Sequence, residues 1–344
     1  MKREVAPGQG MIQYTQTLEV GDFVPYFVID NDGHKLDLQA KAGEHLLLVA
    51  MADPDTEALQ TALERDAPYR QYFISKSNAG LSAGNLFHDE AVQRLLSPRG
   101  ERYAAYLLSP NLKIIHIAVA DSLDALLAAV PDRQQLQPIP NWLPVTVVPD
   151  VVSADLAQRL IAWFDANRGN AFSNSGGYKS RSHLHPPAEL AAELDEKLCK
   201  SLLPEISKVY YADISHRETY KICCYDSSEA GTFGKHRDTI APHLHRRYAM
   251  TLVLNDNFRS GGVRFPEYAD AVLPVPKYSA LIFPGSLYHQ VTKVRGGRRY
   301  VLISFFFTEA EARHKADSER YRFTVRRDLR GLRLRSLMPG PGGD

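Results

Sequence analysis

The segments Lys235-His236-Arg237-Asp238 and Tyr288-His289-Gln290 hold the residue types of a metal centre. On an extended backbone the side chains alternate between faces, so His236 and Asp238, two positions apart, point the same way and can reach one ion. A distant His289 completes a facial triad. Two neutral imidazoles and one carboxylate suit ferrous iron, and they fill only half of an octahedron, which leaves three positions open for chemistry. Two more pairs, His183-Leu184-His185 and His243-Leu244-His245, have the same strand-like spacing. A cupin-type site would need a Glu a few residues on, but Arg246-Arg247-Tyr248-Ala249 follow His245. These histidines therefore read as loop residues near a pocket, or as solvated ones.

The elements that must position the triad are short and β-rich. From residue 220 onward, strand-like runs at 220–225, 248–254, 262–265, 271–275, 280–283, 291–294 and 299–307 are separated by Gly and Pro. Such spacing predicts a barrel or jelly roll. His236 and Asp238 follow a Gly-bearing loop, Gly231-Thr232-Phe233-Gly234. His289 follows Leu281-Ile282-Phe283 and the turn Pro284-Gly285, and Arg299 opens the last strand. Upstream, 143–148 alternates as a strand. Ser153 is a good N-cap for a helix whose Leu156, Leu160, Ile161 and Phe164 form one stripe ending at Gly169. A second helix, 188–203, carries Leu190, Leu194 and Leu198 and stops before Pro204. Between them, 172–187 reads as a loop with Lys179, Arg181, His183 and His185, a candidate lid or substrate clamp.

Over residues 143–308 the chain resembles the iron(II)- and 2-oxoglutarate-dependent oxygenases, specifically the prolyl-4-hydroxylase-like group. The matching stretches are Arg247-Tyr248-Ala249-Met250-Thr251-Leu252-Val253-Leu254-Asn255, Ser260-Gly261-Gly262-Val263-Arg264-Phe265-Pro266, 276–284 and 289–299. One departure is Tyr278-Ser279, where the family usually has a Gly before the small residue. The resemblance implies that His236, Asp238 and His289 hold iron and that Arg299 grips the far carboxylate of 2-oxoglutarate. A planar, permanently charged guanidinium suits that task. Arg298, its neighbour on a strand, would face the other way. Tyr225 matches a position that often hydrogen-bonds the co-substrate, and Thr251 or Tyr220 could serve similarly. The activity implied is hydroxylation of an unactivated C–H of a peptidyl residue, amino acid or metabolite, with succinate and carbon dioxide released. Dioxygen would be consumed, and ascorbate is a candidate reductant. Related halogenases lack the carboxylate, so Asp238 points to hydroxylation.

The first part of the chain differs in texture. Residues 44–51 suit a buried strand, 56–65 a helix, 103–108 and 113–118 strands, and 122–130 a helix. This is an α/β sandwich pattern. Val20-Gly21-Asp22-Phe23-Val24-Pro25-Tyr26-Phe27, Asp32-Gly33-His34-Lys35-Leu36-Asp37-Leu38 and Ala52-Asp53-Pro54 resemble the start of a peroxiredoxin-type thioredoxin fold over about residues 14–131. In that family the next loop carries the attacking thiolate. Here Asp53-Pro54-Asp55-Thr56-Glu57 stand there, and no Cys precedes Cys199. Thiolate chemistry needs a thiol, so this part reads as a scaffold, a dimerisation surface or a docking module.

At 344 residues two domains are the default, with the polar, proline-bearing stretch 134–141 as linker. The expected layout is a thioredoxin-like α/β sandwich over 1–137 and a jelly roll (double-stranded β-helix) with packing helices over 138–310. A basic extension covers 311–344; Tyr321, Phe323, Val325, Leu329 and Leu332 are spaced to pack it, so it does not read as a nucleic-acid arm. A net charge of +1 sets up no field that attracts nucleic acid or an anionic membrane. The longest apolar runs, 46–50 and 301–307, fall far short of the roughly 20 residues that span a bilayer. Behind Met1-Lys2-Arg3 no apolar stretch reads as a secretory signal, so a cytoplasmic protein is expected. The three cysteines, Cys199, Cys223 and Cys224, read as reduced, buried thiols. The rival to an oxygenase is a binding or sensing protein whose iron site is structural and whose thiol-free first domain is the interaction surface.

Overall fold

The computed structural model describes residues 17–64, 69–78, 80, 81, 83–132, 142–316, 320, 322 and 323. The linker stretch 134–141 and most of the basic extension, including Tyr321, Val325, Leu329 and Leu332, lie outside them. The chain divides into two compact units, Met1–Asn141 with Pro266–Tyr268, and Trp142–Phe265 with Ala269–Asp344. Among the described residues no helix is long and apolar enough to cross a membrane.

In the first unit a hairpin, β1 (Val28–Asn31) and β2 (His34–Asp37), precedes β3 (Leu46–Met51), α1 (Thr56–Glu64), β4 (Arg70–Ser75) and β5 (Leu86–His88). Then come α2 (Glu90–Leu96), β6 (Tyr103–Leu108), β7 (Ile114–Ala120) and α3 (Leu123–Ala129). The sheet order is β5-β4-β3-β6-β7, with β3, β4 and β5 parallel and β6 and β7 antiparallel to their neighbours. Every residue of β3 is buried, which is why it reads as a continuous apolar run and not as an alternation. The loop after it is tied down by the Tyr103 hydroxyl, which accepts from the Asp55 amide at 3.0 Å.

The second unit opens with β8 (Thr146–Val148), α4 (Ala154–Ala166), β9 (Phe172–Ser175), β10 (Lys179–Leu184), α5 (Ala188–Ser201), α6 (Leu203–Tyr210) and β11 (His216–Arg217). It continues with β12 (Lys221–Asp226), β13 (Thr232–His236), β14 (Tyr248–Val253), β15 (Phe258–Arg259), β16 (Val263–Arg264) and β17 (Val272–Leu273). It closes with β18 (Ala280–Pro284), β19 (His289–Val291), β20 (Gly296–Phe307) and α7 (Glu309–Ala312). Among the described residues one antiparallel sheet runs β17-β16-β19-β13-β10-β12-β20-β14-β18-β8. Strand β10 makes the curl: Lys179 and Ser180 pair with β13, whereas Ser182 to Leu184 pair with β12. One strand thus joins two half-sheets, an arrangement consistent with a jelly roll.

Alternation along the central strands sorts the side chains. Ile222, Cys224, Met250, Leu252, Ile282 and Leu302 meet Leu156, Leu160 and Phe164 of α4 and Leu194 and Leu198 of α5 in one core. Cys223, Tyr225, Val253 and Val301 form a separate cluster. Cys223 and Cys224 therefore belong to different cores, and all three cysteines are buried and outside any disulfide. Ser153 caps α4, accepting from the Leu156 amide at 3.2 Å.

Three sequence readings need correction. Residues 172–187 are not a loop: β9 and β10 form a hairpin within the sheet, and its Ser, Lys and Arg content hides the strand pattern. Residues 232–234, read as loop, belong to β13. Pro204 does not end helical structure, because it sits at the start of α6, where its missing N–H costs nothing. Tyr278, the departure from the oxygenase pattern, has φ of 63°, the left-handed region that glycine normally fills. Its amide donates to Val253 and its carbonyl accepts from Val151.

Leu160 is fully buried between α4 and the sheet. Leu160→Ala is expected to destabilise the second unit by about 2–5 kcal/mol in urea melts, the usual cost of a buried Leu with its cavity; a cost near zero would contradict this packing.

Candidate metal centre

Strands β13 and β19 pair antiparallel with His236 opposite His289, and one extra residue is accommodated between Phe233 and His236. That bulge turns Phe233 and His236 toward the same side, where their rings stack at 3.7 Å between centroids. Asp238 lies just past the strand. Its amide donates to the Gly285 carbonyl at 2.8 Å, so the turn after β18 holds the carboxylate in place. A Cβ at Gly285 would come within 2.7 Å of the Arg246 carbonyl oxygen, so glycine is needed there.

The three side chains converge. Asp238 Oδ1 lies 3.6 Å from His236 Nε2, and Asp238 Oδ2 lies 3.4 Å from His289 Nε2. One ligand atom from each lies within 4.8 Å of the others. His236 Nδ1 meets the Gly234 carbonyl at 2.8 Å, and His289 Nδ1 meets the Leu287 carbonyl at 2.9 Å. A carbonyl only accepts, so each Nδ1 carries the proton and each Nε2 presents a lone pair to the centre. Burial pushes the His289 imidazolium down to about 4, against the pull of Asp238, so the ring is neutral at physiological pH. Burial alone would raise the Asp238 carboxyl. The facing His236 and His289 rings and the Arg246 guanidinium outweigh that and hold it below its ordinary value. Two neutral imidazoles and a carboxylate are the donor set for a divalent first-row ion, so the residues fit the expected metal.

A cavity of about 500 Å³ opens over the triad and is also lined by Tyr225, Thr251, Phe233, Lys179 and Arg181. Arg299 is buried, opposite Tyr225 in the β12–β20 register, with its guanidinium 5.5 Å from the Tyr225 ring and 6.0 Å from that of Phe258. Its Nη1 has no hydrogen-bond partner among the described residues, and burial pushes the guanidinium below its ordinary value. It lines a neighbouring cavity of about 340 Å³; Val263 borders both. Arg298 faces the other way, donating to Asp226 at 2.8 Å. Tyr225 is buried and its hydroxyl takes a hydrogen bond from Arg181 at 3.3 Å. Tyr220 is not at the cavity: it packs in the helix-side core, and its hydroxyl donates to Asp195 at 2.6 Å.

Of the other histidine pairs, His183 lies on β10 with His185 just after it, whereas His243 and His245 lie in the loop before β14, as read from the sequence, and His243 borders the cavity. His183 stacks on Phe172 and borders the cavity, and the His185 ring meets the Tyr220 carbonyl at 2.8 Å. His245 is buried, with Nε2 2.7 Å from Glu218, which arrives from a different segment than a cupin pattern would use. Glu218 His243 His245 form a second group with metal-like spacing. However, Arg246 takes both Glu218 oxygens, at 2.7 and 3.0 Å, so that carboxylate already holds a cation. Sequence reasoning missed Glu218 because no fixed spacing links it to 243–246, and it missed the Phe233 stack because that depends on the bulge.

No family model matches the chain, and no curated protein does. Among solved structures it is similar to a prolyl-4-hydroxylase of Pseudomonas putida, at TM-score 0.39 and 15% identity over 48% of this chain and 94% of that one. It is also similar to the viral collagen prolyl hydroxylase of Paramecium Bursaria Chlorella virus-1, a 2OG complex, at TM-score 0.38 and 13% identity over 49% and 98%. A prolyl hydroxylase of Trichoplax adhaerens, bound to a hypoxia inducible factor peptide fragment, aligns at TM-score 0.38 and 13% identity over 51% and 88%. At such values the jelly-roll assignment rests on strand pairing alone.

Glu218 yields a pH prediction. Burial would raise its carboxyl, yet hydrogen bonds and charge from Arg246, with His245, bring it from the usual 4.5 down to about 2. A folded-state value below the unfolded one stabilises above the ordinary carboxylate range and is lost as pH falls from 4.5 toward 2. Glu218→Gln should therefore cost about 3–5 kcal/mol at pH 7, because it strands Arg246, and should flatten the acid limb of the stability curve. Urea melts at neutral and acid pH check this; equal acid slopes in both proteins would contradict it.

Proposed function

We propose that the second unit is an Fe(II)- and 2-oxoglutarate-dependent dioxygenase that hydroxylates an unactivated C–H bond, with succinate and carbon dioxide as co-products. The observation that carries this reading is the convergence of two carbonyl-fixed imidazoles and one buried carboxylate in a cavity large enough for a small molecule or a side chain. His236, Asp238 and His289 are the ligands in this reading. When bound, iron supplies the coupling of dioxygen reduction and 2-oxoglutarate decarboxylation to oxidation of the C–H bond.

Each remaining role belongs to a residue of the chain. Arg299 anchors the far carboxylate of 2-oxoglutarate: a buried guanidinium without a carboxylate partner is costly until an anion reaches it. Tyr225 accepts from Arg181, so its own O–H remains to donate to a ligand oxygen. Thr251, on β14 at the cavity wall, offers a second hydroxyl. Phe233, stacked on His236, fixes the plane of that ring and keeps water from one side of it.

The first unit is read as a thioredoxin-like scaffold. Its order βαβ, then β, α, ββ and α, with the strand order given above, supports that reading. Tyr103 occupies hydrogen bonds at the loop where a peroxiredoxin would need its thiol.

Anaerobic mixing of Fe(II), 2-oxoglutarate and protein is expected to give a visible charge-transfer absorption that His236→Ala lacks. Arg299→Met should keep metal binding but need roughly 10–100-fold more 2-oxoglutarate, the loss of a bidentate charge-assisted contact. A wild-type protein that never binds the co-substrate would overturn the assignment.

A further inference from the structure

The cavity over the triad has a lopsided charge. Lys179, Arg181, Lys221, Arg237 and Arg246 border it, and among the described residues that line it Asp238 is the one carboxylate. Two of these cations are already served by Glu218, which Arg246 grips with both oxygens and Lys221 approaches at 3.9 Å. Lys179 and Arg181 have no carboxylate partner among the described residues. Arg181 is 8% exposed, and its Nη1 reaches only the Cys223 thiol at 3.4 Å and the Tyr225 hydroxyl at 3.3 Å, while Nε is buried with no partner. Both cations sit over the Phe233 ring, Lys179 Nζ at 4.7 Å and Arg181 at 5.4 Å from its centroid, and that ring stacks on His236.

A buried guanidinium and a half-buried ammonium on one wall repel each other and lose hydration, which an anion at that spot would relieve. The crowding is felt: burial, and then Arg181, push the Lys179 ammonium below its ordinary value. The far carboxylate of the co-substrate does not account for the pair, since its anchor, Arg299, lines the neighbouring cavity.

We propose that Lys179 and Arg181 form a carboxylate-binding subsite for the molecule being oxidised, so that the substrate is acidic and its anionic group sits one aromatic ring away from the triad. The oxidised carbon then lies a short reach from an acidic group, as in an acidic side chain of a peptide or a free acidic amino acid. This rests on the oxygenase reading for the word substrate, but the subsite itself is testable without turnover.

The test uses the full chain loaded with Mn(II) and saturated with N-oxalylglycine, a non-reacting 2-oxoglutarate analogue that fills the co-substrate site. Saturation-transfer NMR and anisotropy then follow three probes: a short degenerate peptide mixture with one fixed Glu, the same mixture with Gln there, and N-acetylglutamate. The Glu mixture should bind roughly tenfold or more tighter than the Gln mixture, the worth of a charge-assisted contact. The preference should vanish in Lys179→Met and Arg181→Met and return in Arg181→Lys. If N-acetylglutamate binds as well as the Glu mixture, the acidic partner is a small molecule; if only the mixture binds, it is a peptide. Equal binding of Glu and Gln probes, binding of none, or a preference that survives both Met variants overturns the proposal. A parallel loss of N-oxalylglycine affinity also overturns it, because that would mark the pair as a co-substrate anchor. Failure of N-oxalylglycine to bind wild type would instead strike the oxygenase reading, and the Glu preference would then be measured without it.

Discussion

The pairing of β13 with β19, in register at His236 and His289, is the constraint from which the site follows. Residues separated by the whole β14–β18 stretch become neighbours because two strands share hydrogen bonds. The same backbone then finishes the job: carbonyls of Gly234 and Leu287 take the Nδ1 protons, so both rings are locked in one tautomer and one orientation before any ion arrives. Asp238 joins them because the chain leaves β13 and is caught at once by Gly285. Little rearrangement is left for binding, and preorganised donors hold a metal more tightly than mobile ones.

Charge balance explains much of what surrounds the triad. Glu218 neutralises Arg246 and contacts His245, and Asp226 takes Arg168 and Arg298. Against these satisfied pairs, Arg299 stands out as a fully buried cation lacking a carboxylate among the described residues, with Arg181 close behind. Desolvating an ion costs several kcal/mol even in a relaxed protein. A fold that keeps two guanidinium groups in that condition makes sense when anionic ligands complete them.

Much of this was legible in the sequence. The His-x-Asp pair could be read from its spacing although Asp238 lies past the end of β13 and is placed by Gly285, whereas strand alternation along β12 and β20 separated Cys223 from Cys224 and Arg299 from Arg298. The helix stripe of Leu156, Leu160 and Phe164 behaved the same way. What escaped were features set by partners rather than by local pattern. The hairpin of β9 and β10 looks like a loop because its inward positions hold Ser and Arg in place of apolar residues. Glu218 could not be tied to His245 and Arg246 from spacing. Tyr220 and Tyr225 sit on opposite faces of the sheet region, and only the packing partner, Asp195 in one case and Arg181 in the other, tells which one can touch a ligand.

The central claim is that one iron is held by two imidazoles and one carboxylate of this chain, with the remaining positions open. X-ray absorption at the iron K edge of the anaerobic Fe(II) protein measures this directly. The account predicts one iron per chain in a six-coordinate nitrogen and oxygen shell, with multiple scattering from two imidazoles that falls to one in His289→Ala. Absence of stoichiometric iron, sulfur in the shell, or an imidazole signal unchanged by that substitution would contradict it.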